Sequence, residues 1–298
     1  MTDAAVIQCA RLHKRYGGHV ALHALSLVVR RGEVFGLVGA NGGSKTTLLR
    51  LIAGLIEPDG GRCRVLGMAP AAVRSRIGYM PQALGLYGEL TVRENLQIRA
   101  ALFDMPAPSA ASDAAIHRLG LNAIKDNRVS RLSGGWARRA QLAAALIHAP
   151  ELVLLDEPTV GLDAGARQQV WAQILALADT GATVVVTTHD LAEAERFSRL
   201  GFLAGGRLLA CGTPAEIVAG AGVRSFLLSG AAAGAKLDAA TAIDGVVAAY
   251  PHGTALRVVA RDRASAAVRQ LARDRGMLPI AVSASLDDAA HVLLAGGA

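Results

Sequence analysis

The sequence contains no run of about eighteen uncharged apolar residues, the length a helix needs to cross a bilayer. A membrane span is therefore not expected, although 52% of the residues are hydrophobic. The opening MTDAAVIQCARLHKRY has an acid at Asp3 and no apolar core of signal-peptide length, so no secretory leader is expected. Cysteine is scarce. Cys9, Cys63 and Cys211 lie too far apart in the chain for a local metal-ligand or redox motif, which points to reduced thiols in a reducing compartment. Lys and Arg outnumber Asp and Glu by 31 to 24, but they are scattered singly or in pairs such as Arg30-Arg31 and Arg138-Arg139. Without a basic block, a solvated or membrane-facing surface is expected and nucleic acid is not. There is also no internal repeat and no heptad pattern. At 298 residues the chain can bury one sizeable core and carry a small second domain.

What is present begins with β-like runs, ALSLVVR, EVFGLVG, RCRVLG and RIGYMPQ, separated by turn signals such as RRGE and EPDGG. From TVRENLQIRAAL (91–102) to RAQLAAALIHAP (139–150) apolar residues recur at spacings of three and four, so a helical insertion is predicted over about 83–150. LVLLD (152–156) and TVVVTTHD (183–190) are near-continuous apolar runs on either side of a helical stretch, ARQQVWAQILALAD (166–179). Such runs alternating with helices predict buried parallel strands and an α/β core. Beyond GTPAEIVAG the pattern changes: SFLLSG, LRVVA and IAVSA read as strands, 263–275 as a helix, and Ser285 with Asp288 as the cap of a last helix. The expected division is a main domain over 1–222 and a small α+β appendage over 223–298.

GANGGSKTT, from Gly39 to Thr47, lies between a strand-like run and a helical one. It meets the phosphate-loop pattern G-x-x-x-x-G-K-[ST] except at Ser44, which replaces a glycine. Backbone N–H groups of Asn41, Gly42 and Gly43 can cradle phosphate, Lys45 can reach the β- and γ-phosphates, and Thr46 can ligate magnesium. An ordinary glycine-rich turn is the competing explanation. Asp156 and Glu157 end a buried strand, where the first suits magnesium through water and the second suits polarising an attacking water. A strand leaving the core for solvent would also end in acids. His189 follows a second such strand, and in a doubly wound sheet the carboxyl ends of the strands open on one edge. His13, His19, His23, His117, His148, His252 and His291 are read as structural. Ser133, Gly134 and Gly135 precede a helix and form a second anion-binding possibility or a plain cap. One nucleotide has little use for both sites from a single chain.

Together these residues resemble the ATP-binding subunits of ABC transporters, from residue 6 to about 218. LSGGW matches the signature, LVLLDEP the second phosphate-site motif, VGLD with Asp163 the dimer-contacting loop, TTHD the switch histidine, Tyr16 the aromatic that stacks on adenine, and Gln82 the glutamine linking magnesium to the attacking water and the membrane subunit. The resemblance implies a P-loop NTPase core with a mostly parallel sheet, an antiparallel β subdomain and a helical insertion carrying the signature. It implies ATP and Mg2+ as ligands, ATPase activity, a cytoplasmic subunit peripheral at the inner face of the membrane, and a separate transmembrane permease. Two such subunits, as a homo- or heterodimer, would clasp ATP head to tail, with Ser133 and Gly135 of one facing the γ-phosphate held by the other. GLYGELTVRENL and the segment 190–217 are similar to drug- and antibiotic-type exporters. A regulatory subunit that binds ATP with little turnover, and a soluble ABC ATPase acting on ribosomes or DNA, are the alternatives. Gly43 stands where the family commonly has alanine or serine, so the pair Gly43-Ser44 looks exchanged. The family's glycine at 44 implies a left-handed backbone of positive φ that a side chain disfavours; some of the freedom lost there is expected to return at 43, leaving a weakened ATP site.

Overall fold

Strands that are covered on both faces have to be apolar along their whole length, and three segments of this chain obey that rule. In the computed structural model, which describes residues 4–230 and 237–296, β3 (Val34–Val38), β6 (Leu152–Asp156) and β7 (Thr183–Thr188) are buried at every position. The described chain forms two compact units. The first runs to Asp190 and includes Phe197–Leu208; the second holds Leu191–Arg196 and the described residues from Leu209 onward.

In the first unit β1 (Ala5–Tyr16) and β2 (His19–Arg30) form an antiparallel hairpin whose tight connection uses Gly17 at φ 56, and β4 (Gly60–Val65) pairs with the other edge of β1. The strand β1 adds to those expected from the sequence. Register shifts interrupt it, and Arg11 lies at φ 50, so bulges break the two-residue alternation by which a strand is recognised.

The larger sheet has the order β5 (Ile77–Met80), β6, β7, β3, β8 (Arg199–Ala204) and β9 (Arg207–Gly212). Pairs β5/β6, β6/β7, β3/β7 and β3/β8 are all parallel. Helix α1 (Lys45–Ile52) follows β3; α2 (Val92–Leu102), α3 (Pro108–Arg118) and α4 (Gly134–Leu146) lie between β5 and β6; α5 (Ala164–Asp179) leads from β6 to β7. A capping box between Thr91 and Glu94 starts α2. Trp171 of α5 is fully buried and packs against Phe197, whose ring fills the space a Cβ would need at Gly36. Because β3, β5, β6 and β7 run parallel, the residues just past their ends, from Gly39, Gln82, Glu157 and His189, gather on one edge.

The second unit holds α6 (Leu191–Ala194), α7 (Pro214–Gly220), β10 (Val223–Ser229), α8 (Leu237–Thr241), β11 (Val246–His252), β12 (Ala255–Arg261), α9 (Ser265–Asp274), β13 (Leu278–Val282) and α10 (Leu286–Gly296). Its antiparallel sheet has the order β11-β12-β10-β13, so β11 and α8 join the elements read from the sequence. The expected cap is present: Ser285 N–H donates to Asp288 and the Asp288 N–H donates to the Ser285 hydroxyl.

Asp288 is fully buried, paired with Arg257 at 2.5 Å, and accepts hydrogen bonds from Ser225 at 2.8 Å and Tyr250 at 2.9 Å. Burial alone would raise its pKa. The guanidinium of Arg257, the Ser285 amide and the two hydroxyls outweigh burial and hold it well below the usual carboxylate range. Removing one partner of such a pair strands the other charge, so Asp288→Ala destabilises this unit by roughly 3–5 kcal/mol, read as lost hydrogen-exchange protection in β10 and β12. A depressed carboxyl stabilises the fold above its unfolded pKa of about 4 and loses that contribution as pH falls through the folded value, so the deficit of the variant shrinks below about pH 4.

Candidate nucleotide site

The strand β3 ends one residue before Gly39, whose N–H donates to the Thr188 carbonyl at 3.2 Å. A Cβ on Gly39 would overlap the Leu203 carbonyl oxygen, so only glycine fits where the chain leaves the sheet. The loop then turns through Gly42 at φ 78 and reaches Ser44 at φ 72, ψ 18, immediately before α1. The expectation of a left-handed conformation at 44 is met, and a side chain there costs roughly 1–2 kcal/mol. Ser44 makes no capping hydrogen bond in return. The expected compensation at Gly43 is not what the geometry provides. Gly43 does not use the left-handed region; it matters for space, because a Cβ would approach the carbonyl oxygens of Ala40 at 2.9 Å and Leu203 at 3.1 Å.

The loop borders a cavity of about 430 Å³ lined by Tyr16, His19, Ala21, Asn41, Gly42, Gly43, Ser44, Lys45, Thr46, Thr47, Gln82 and Glu157. Tyr16 ends β1 and is 45% exposed, free to stack on a flat ligand. Lys45 is buried; its ammonium donates to the carbonyls of Gly39 at 2.7 Å and Ala40 at 3.1 Å and lies 3.4 Å from Glu157. Gln82 donates to Glu157 at 3.3 Å, and His189 Nδ1 is 3.4 Å from the same carboxylate oxygen. Glu157 is thus the buried point on which three polar side chains converge. Its backbone is at φ 50, a conformation costly for a residue with a side chain and held by its surroundings.

Asp156 is 1% exposed, and its Oδ1 accepts from the Thr187 hydroxyl at 2.7 Å. That hydroxyl in turn accepts from the Glu157 N–H at 2.8 Å, so one side chain of β7 orders both acids. Oδ2 of Asp156 is buried and has no hydrogen-bond partner among the described residues, an arrangement that suits a hydrated cation. The described residues contain no cluster of three or more His, Cys, Asp and Glu that could hold a metal ion.

Ser133, Gly134 and Gly135 do not line this cavity. Ser133 is exposed at the start of α4 and uses no side-chain cap bond, while Gly134 and Gly135 lie against Leu162 and Ala166. Asp163 caps α5 by accepting from the Ala166 N–H at 2.9 Å. These four residues form a second group, beside the start of α5.

Three residues of the site were not read from the sequence. Thr187 shows only as a hydroxyl just past a valine run. His19, read as structural, is exposed and lines the cavity, because the two-residue hairpin turn sets it opposite Tyr16. Gln141, 3% exposed on α4, donates to the carbonyls of Pro81 at 2.9 Å and Ala83 at 2.7 Å and so fixes the backbone on both sides of Gln82. A lone amide on the buried face of a helix was the available signal for it.

Residues 22–160 match the ABC transporter family. The chain is 41% identical over 219 residues to the Nod factor export ATP-binding protein I of Rhizobium etli, an alignment that covers 71% of this chain and 69% of that protein. It is 37% identical over 222 residues to the probable multidrug ABC transporter ATP-binding protein YbhF of Escherichia coli, covering 72% of this chain and 38% of that protein, so it spans well under half of that relative. Among solved structures, cbiO1 from Clostridium perfringens, part of the ABC transporter complex cbiONQ, is similar with a TM-score of 0.66 at 26% identity, over 72% of this chain and 91% of the other. The chain belongs to the ATP-binding proteins of the ABC transporter family.

In an ATP site of this form the strain at residue 44 is subtracted from the grip on phosphate. Ser44→Gly is expected to tighten ATP binding by about tenfold, the equivalent of ~1.4 kcal/mol, with the fold unchanged. Calorimetric titration of both chains with ATP measures this, and equal affinities would remove strain at Ser44 as the cause of any weakness.

Proposed function

We propose that the chain hydrolyses ATP as the energy-supplying subunit of an ABC exporter, working with a second ATP-binding subunit and a permease on another chain. The observation that carries this reading is the convergence of Lys45, Gln82 and His189 on Glu157 beside the phosphate loop. ATP would enter the cavity with its base on Tyr16 and its phosphates along Asn41–Thr47. Lys45 exchanges its bonds to the Gly39 and Ala40 carbonyls for the β- and γ-phosphates. Glu157 accepts the proton of the attacking water, and His189 and Gln82 hold that water and the γ-phosphoryl in line. Thr46, Asp156 and Gln82 would hold Mg2+, which when bound neutralises charge on the β- and γ-phosphates.

The Ser133–Gly135 segment, placed away from this cavity, suits the γ-phosphate of a second copy, with Asp163 beside it at that contact. ATP then joins two subunits, and hydrolysis to ADP and phosphate releases them. No helix among the described residues is long and apolar enough to cross a membrane, so movement of cargo requires a partner that does. Export is favoured by the names of the relatives, one a multidrug ABC transporter protein and the other a Nod factor export protein. A location at the inner face of the membrane, through the permease, follows from the same reading. The strained Ser44 favours one second reading, a regulatory subunit that binds ATP with little turnover. ATPase activity and ATP affinity measured together on the isolated chain separate the two.

Glu157→Gln keeps the shape and removes the base. Turnover should fall by roughly 10²–10⁴-fold while ATP-bound dimers persist in size-exclusion chromatography. A variant that still hydrolyses ATP within a few-fold of the parent would take the proton-accepting role away from Glu157.

A further inference from the structure

Cys9 and Cys63, remote in sequence, face each other in the antiparallel pair of β1 and β4. They are direct register partners, flanked by the regular pairs Gln8/Arg64 and Ala10/Arg62, and their sulfurs are 3.4 Å apart. Both are thiols. The spacing read from the sequence leaves no local motif, yet the fold brings together two thiols that the chain separates by 54 positions. We propose that Cys9 and Cys63 form a reversible disulfide, a covalent modification site of the nucleotide-binding unit that takes hydroperoxide as oxidant.

The backbone already meets the requirement. Antiparallel partners have Cα atoms about 4.5–5.5 Å apart, inside the span of about 4.4–6.8 Å over which a disulfide closes. Bringing sulfurs from contact to a bond of about 2 Å asks for side-chain rotation and no change of register. Access is asymmetric: Cys9 is 4% exposed, whereas Cys63 is half-buried and reaches solvent. The thiols also differ in acidity. The contact with the Cys63 sulfur and burial push the Cys9 thiol well above its ordinary pKa, while the same contact lowers that of Cys63. Cys63 is accordingly the attacking thiolate and Cys9 the resolving thiol.

In the first step the Cys63 thiolate attacks one peroxide oxygen. An S–O bond forms, the O–O bond breaks, and the departing hydroxide takes up the proton that Cys63 had released, as water. In the second step the Cys9 sulfur attacks the Cys63 sulfenic acid. The S–S bond forms, the S–O bond breaks, and the second water leaves with the Cys9 proton. Two thiols and one hydrogen peroxide thus yield one disulfide and two waters. Reduction starts when an external thiol attacks the accessible Cys63 sulfur. The cross-link joins positions 54 apart, enclosing Tyr16 and the whole phosphate loop, so it restrains a large part of the unfolded chain and stabilises the unit that binds ATP.

The test uses the full chain carrying Cys211→Ser, which leaves these two thiols alone. On titration with hydrogen peroxide at neutral pH, the intact chain should lose the mass of two hydrogens, both thiols should vanish together, and proteolysis should yield the peptides of Cys9 and Cys63 linked. Thermal unfolding should shift upward by about 5 °C or more and return on addition of dithiothreitol. With Cys9→Ser added, peroxide should leave oxygen adducts on Cys63 and no thermal shift. Oxygen adducts on Cys63 beside a reduced Cys9 in the two-cysteine chain, a link that forms only in denaturant, or a link between two chains would each overturn the proposal.

Discussion

A carboxylate can be kept in a protein interior only if its charge is met, and at Glu157 three elements meet it. The residue stands one past the end of β6, and its partners come from the first position of α1, the segment after β5 and the turn after β7. An unpaired ion at such depth would cost several kcal/mol. The parallel order β5-β6-β7-β3 is what allows all four to converge, since any antiparallel neighbour would send one of them to the opposite edge. The architecture and the electrostatics of the site are in this sense one constraint.

The same constraint reaches beyond the four side chains. Thr187 holds Asp156 through its hydroxyl proton and the Glu157 amide through its oxygen, so rotation of the Asp156 or Thr187 side chain would leave a buried group unmatched. Gln141 ties the carbonyls around Gln82 to α4, the helix that Ser133 precedes, and the backbone near Gln82 is therefore coupled to the signature segment. Two residues at the site, Glu157 and Ser44, are left-handed although they carry side chains. The first lies at the point of proposed chemistry, where strain is commonly stored. The second makes no side-chain cap hydrogen bond in return.

Much of the site was legible because its chemistry is written in contiguous motifs. GANGGSKTT, LVLLDEP and TTHD each sit where an apolar run stops, and such runs predict buried strands whose ends share an edge. The antiparallel strand β1 was not legible, since its bulges remove the alternation that marks a strand; α8 is only five residues long, and VVAAYPH of β11 shows no alternation of apolar and polar residues. His19, Thr187 and Gln141 escaped for a different reason. Their partners are residues of other elements, or lie across a hairpin, and a side chain considered alone does not reveal what it will face.

The sequence by itself determined the alternation of strand and helix, the family, the identity of the acid pair and the need for a left-handed residue at position 44, because each depends on local pattern or on backbone sterics. Only the tertiary structure decided which groups meet. It brought Lys45, Gln82 and His189 to Glu157, left Ser133 and Asp163 outside that cavity, and set Cys9 against Cys63. The physical reason is that strand order and register are settled by burial summed over the whole sheet, and no single stretch of the chain carries that sum.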